Sequence, residues 1–115
     1  MMIIKKLQLE QIDNIKLHEF VKSCQKLIEQ EHPEIYITRP VNEWESFIIN
    51  KIKAASHFGI FDSKNIFIFI LTLAEFPQYF TPRMPEWAIE MLTWPERDED
   101  DKIVLLCKEV YKLNQ

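Results

Sequence analysis

The chain has 115 residues, of which 47% are hydrophobic and 28% charged, with a formal net charge of −4. That composition suits one folded domain with its own core and argues against disorder. A single glycine, Gly59, argues against a hairpin-rich β fold or a phosphate-cradling loop, both of which draw on positive φ angles. Lysine and arginine are scattered apart from Lys51, Lys53 and Lys64, so the clustered basic surface that binds nucleic acid is missing.

Residues 1–8 read as a short extended arm. Met1-Met2-Ile3-Ile4-Lys5-Lys6-Leu7 has charge but no apolar stretch behind it, unlike a secretion signal. No segment reaches the ~18 apolar residues of a spanning helix, and the expected location is the cytoplasm. A long amphipathic helix is expected from about Glu10 to Glu31. Leu17, Phe20, Val21, Cys24, Leu27 and Ile28 recur at helical spacing, with Ile12 and Ile15 off that stripe, and His32-Pro33 closes it. Pro33 and Pro40 then bracket a stiff linker over residues 33–41.

Asn42 and Glu45 have the spacing of a capping box and predict the start of the next helix. Trp44, Phe47, Ile48, Ile52, Ala55 and Phe58 share one of its faces. Gly59 stands where a helix needs a left-handed residue, with Ile60 behind it to pack on the last turn. The run from Asn65 to Phe76 is apolar on every side, and a helix of that kind must be surrounded by others. A buried strand is the rival reading, because Ile and Phe favour strands and a continuous run has no diagnostic period. Asp62 and Ser63 as caps, and Pro77 as a stop, favour a central helix over about 63–76.

Pro77, Pro82, Pro85 and Pro95 predict a non-helical course interrupted by a short helix from Pro85-Glu86-Trp87 to Trp94. Asp98 caps a last helix, with Glu99, Asp100 and Asp101 in its first turn and Lys108 and Lys112 towards its end, matching the macrodipole. Ile103, Leu106, Cys107, Val110 and Leu113 form its apolar stripe. The sum is an all-α, single-domain bundle over residues 1–115, about five helices around a buried central one.

No chemistry-bearing pattern assembles. His18, His32 and His57 fall in different elements without a metal-motif partner. Glu96 to Asp101 lacks the alternating ligands and mid-loop glycine of a calcium loop. Cys24 and Cys107, distant in sequence and on apolar stripes, read as reduced core thiols. No nucleophile with a nearby base is legible, and no catalytic, metal or cofactor residue is assigned. The aromatic band Phe76, Tyr79, Phe80, Trp87 and Trp94 is the one functional feature. Phe76 and Trp87 are expected to roof the central helix. Tyr79, Phe80 and Trp94, held in a proline-rich context, are the expected partner-binding residues, since Tyr and Trp dominate interface energetics.

Several segments together resemble a known family. They are Leu9-Glu10-Gln11-Ile12, then Phe20, Leu27-Ile28 and His32-Pro33, Ala54-Ala55-Ser56-His57-Phe58-Gly59-Ile60, the run Ile66 to Leu73, Pro85-Glu86-Trp87-Ala88-Ile89-Glu90-Met91-Leu92, and Asp101-Lys102-Ile103. The chain resembles small helical bacterial proteins encoded beside type VI secretion spike proteins and their toxic effectors. Family members often carry a glycine where this chain has Pro77-Gln78, so the chain departs from the family pattern at that turn. The resemblance implies a cytoplasmic accessory protein, a chaperone, adaptor or immunity-type protein, that binds a secreted effector or spike component without chemistry of its own. No nucleic acid or membrane is among the expected partners. The alternatives are a small enzyme with a spatially assembled site and a structural homodimer.

Overall fold

The computed structural model describes residues 14–115, so the expected arm and the expected helix start before Asn14 lie outside the described residues. Within that span the chain is all-α. Seven helices form: α1 (Asn14–Glu31), α2 (Pro33–Tyr36), α3 (Val41–His57), α4 (Ser63–Glu75), α5 (Pro77–Phe80), α6 (Glu86–Thr93) and α7 (Glu99–Leu113). Five are the expected helices. The other two, α2 and α5, are single turns where a stiff linker and a non-helical course are expected. Both open on a proline, whose fixed φ suits a first helical turn as well as it suits a break.

In space the longer helices follow the order α1, α3, α4, α7, α6, each packed on the next, with α2 against α1 and α5 against α4. The central run is a helix, and the strand alternative fails. Asp62 caps it, its carboxylate accepting from the Lys64 amide at 3.0 Å. Ile66, Phe69, Ile70, Leu73 and Ala74 are buried and join Ile28 of α1, Trp44, Ile48 and Ile52 of α3, and Ile103, Leu106 and Val110 of α7 in one core.

The α3–α4 corner follows from local chemistry. Gly59 adopts φ +77°, Gly59 N donates to Ser56 O at 3.0 Å and Ile60 N to Ala55 O at 2.8 Å. That pair of bonds is a Schellman closure, available because glycine has no Cβ to strain. The Lys102 ammonium donates to Phe58 O at 2.9 Å and satisfies another end carbonyl. The start of α3 differs from expectation. Pro40 occupies the cap position, Glu43 N bonds to Pro40 O at 3.0 Å, and no side chain caps the helix, so the Asn42–Glu45 box goes unused.

The acidic start of α7 does more than complement a dipole. Glu99 Oε1 accepts from Asp62 N at 2.9 Å, from Asn65 Nδ2 at 3.1 Å and from Phe61 N at 3.2 Å, and Asp100 Oδ1 accepts from Asn65 Nδ2 at 2.7 Å. Asn65 is buried, and these bonds satisfy its amide. The start of α7 is thereby fastened to the start of α4.

Candidate protein-binding surface

An α4 that is apolar all round needs cover all round, and its neighbours supply only part of it. Phe67, Ile68 and Leu71 lie on one stripe and remain half-exposed, with Lys64 and Glu75 exposed near its ends. Ile68 continues into an apolar groove of about 790 Å³ shared with Met91 of α6 and Val104, Cys107 and Tyr111 of α7. Val104 and Tyr111 are 51% and 59% exposed although each stands on the helix that carries Ile103, Leu106 and Val110 inward. Lys108 and Lys112 border the groove, and Lys112 pairs with Glu109 at 3.6 Å.

The three residues expected to meet a partner do not form one site. Trp94 is exposed, just beyond the end of α6, with the Arg97 guanidinium 5.1 Å from its ring. Tyr79 is half-buried. It stacks with Phe76 at 6.3 Å and lines a separate groove with Met84 and Ile89. Phe80 departs from expectation: it is buried, 6.1 Å from the Trp87 ring, because the turn of α5 rolls it inward onto α6. Phe76 is buried as expected of a roofing residue, and Trp87 is partly buried against the core. No family model, characterised protein or solved structure matches the chain.

Burial pushes the Cys24 thiol up to about 12, so it stays protonated and unreactive at neutral pH. Cys107 sits at the groove edge with its sulfur 3.7 Å from Thr72 Oγ1, and both cysteines are free thiols. Among the described residues no three histidine, cysteine or acidic side chains gather as metal ligands. None of those residues forms a helix long and apolar enough to cross a membrane.

The groove residues escaped the sequence reading for two reasons. Ile68 lies in the run expected to be buried and Met91 in a short helix, and periodicity marks an apolar face without saying how many neighbours cover it. Val104 and Tyr111 fall off the inward stripe of α7, and that was the available signal: large apolar side chains on the face an amphipathic helix normally gives to water.

Proposed function

We propose that this protein is a binding module that grips a protein partner through the groove where α4, α6 and α7 meet, without catalysis of its own. The supporting observation is the mismatch on α4: a helix apolar on all sides, with one stripe its own bundle leaves half-covered and continuous with exposed Val104 and Tyr111. Exposed apolar area of that kind marks a surface meant to be covered. The family resemblance suggests the partner class, a type VI secretion effector or spike component, and the role of a cytoplasmic chaperone, adaptor or immunity-type protein.

The test is copurification of tagged protein with the products of adjacent genes, beside a Val104→Glu variant. Val104 is half-exposed, so the charge should alter stability by about 0.5 kcal/mol or less, while capture should weaken about tenfold or more if the groove is the interface. Failure to capture any neighbour's product, or capture indifferent to Val104→Glu, sinks the proposal. Protection of cells expressing a captured toxin would identify an immunity role. Raised toxin solubility without protection would identify a chaperone or adaptor.

One observation favours a second reading, a homodimer. Helix α7 carries exposed Asp100 and Asp101 at one end, Lys108 and Lys112 towards the other, with exposed Val104 between them and exposed Tyr111 among the lysines. Antiparallel pairing of two copies would set acids against lysines across those apolar side chains. Light scattering that finds a monomer across concentrations removes this reading.

A further inference from the structure

Away from the groove, the α2–α3 corner gathers two cations on one aromatic platform. Tyr36 stacks on Trp44 with centroids 5.6 Å apart and planes 6° from parallel, and Trp44 meets Phe47 edge-on at 5.6 Å. The Arg39 guanidinium carbon lies 3.8 Å from the Phe47 centroid and 4.8 Å from that of Trp44, while the Lys51 ammonium lies 5.2 Å from the Phe47 centroid. Attraction to the rings holds both charges there. Neither cation is neutralised at contact. Among the described residues no carboxylate forms an ion pair with either, and Arg39 Nη1 is shut off from solvent without an acceptor. Burial lowers the pKa of both, the charge of Arg39 adds to the effect on Lys51, and the Glu43 carboxylate offsets part of it at Arg39.

Two like charges on a half-buried platform, with Glu43 offsetting only part of one and no carboxylate in contact with either, oppose folding, and local conflicts of that kind concentrate at functional sites. We infer that Arg39 and Lys51 form an oxyanion site that receives a carboxylate from an acidic segment of a protein partner. With Nη1 closed off, the Nε and Nη2 donors of the guanidinium are the pair that matches a carboxylate, and the Lys51 ammonium adds a second positive charge on the same Phe47 ring. The rim favours a protein segment over a free anion. Ile37 and Val41, two residues either side of Arg39 in the chain, are 80% and 63% exposed, and they offer apolar side chains a seat that inorganic phosphate cannot use. The source of the carboxylate rests on the protein-binding reading above; the oxyanion chemistry does not.

The test titrates the full-length, ¹⁵N-labelled protein with the peptide acetyl-ALEDLA-amide, with its counterpart acetyl-ALQNLA-amide, and with inorganic phosphate at matched ionic strength. The Arg39 Nε–H and Trp44 indole signals report binding, the indole being held to Tyr36 O at 3.0 Å. The acidic peptide should give saturable shifts, with the amide peptide and phosphate about tenfold weaker. Arg39→Gln and Lys51→Gln should each weaken the acidic peptide about tenfold, and Glu43→Gln should strengthen it about twofold by removing a competing carboxylate. Absence of saturation, equal binding of the amide peptide, tighter binding of phosphate, or native-like binding by both cation variants overturns the inference. If Arg39→Gln fails to fold, Lys51→Gln decides alone. Saturable peptide binding with no captured neighbour keeps the site and drops the partner assignment. Capture that survives both variants, with no peptide binding, does the reverse.

Discussion

Single residues in this protein are held by atoms that a reader of the sequence would not pair. Trp44, fully buried, is the largest such side chain, and its indole N–H would be stranded in the core but for Tyr36 O, eight residues earlier. Gly59 is the opposite case, legible at once from its position after an apolar helix. An added Cβ there would meet nothing closer than Lys102 Nζ at 3.6 Å, an ordinary contact. Gly59→Ala should therefore cost about 1 kcal/mol, all of it from the positive φ, in urea denaturation; a loss above about 3 kcal/mol would mean unseen crowding. Cys24 gives a pH test. Its pKa rises from 9.0 to about 12 on folding through burial, so the unfolded chain loses this proton first as pH climbs. The contribution is fully present below about pH 9 and is lost as pH rises towards 12. Between about pH 8 and about pH 10.5 the native protein should lose more stability than Cys24→Ala, measured side by side. Parallel losses would show that the thiol is not held neutral.

At the scale of elements, what was legible follows from how local the cause is. The Schellman closure, the Asp62 cap and the Asp98 cap, which accepts from Asp101 N at 2.8 Å, are decided within six residues, and the sequence displays them. The turns α2 and α5 were missed because one proline can open a helix or end one, and the choice depends on whether Ile35 and Phe80 find a core to enter. Both do. The Asn42–Glu45 pair misled because Pro40 takes the cap position. The contact between α7 and α4 spans more than thirty residues, as Glu99 to Asn65 shows, and no local pattern could announce it. Glu99→Ala would strand the Phe61 and Asp62 amides, leaving Asn65 only its bond to Asp100, at a cost of about 2–3 kcal/mol by chemical denaturation. Glu99→Gln, which keeps an acceptor but not the charge, should cost about half as much. Equal costs for the two would mean that acceptor geometry is irrelevant and that charge alone carries the contact.

Among the described residues the large apolar side chains fall into an enclosed set and an exposed set, and truncation should tell them apart. Phe69 and Leu73 stand on the face of α4 that meets the shared core, where a cavity has rigid neighbours and little room to collapse. Phe69→Ala and Leu73→Ala should each remove about 2–5 kcal/mol of stability. Trp94 has a larger ring, but it is 49% exposed, with the Arg97 guanidinium 5.1 Å from its centroid. Trp94→Ala should cost about 0.5 kcal/mol or less, because no close-packed volume is emptied. Thermal unfolding of the three variants ranks them directly. If Trp94→Ala falls among the core variants, this ring is part of the fold and its exposure is no argument for a partner. If it stays near the native protein while capture of a partner weakens, the expected contact role of Trp94 holds. It would then extend the binding surface from the groove to the far end of α6.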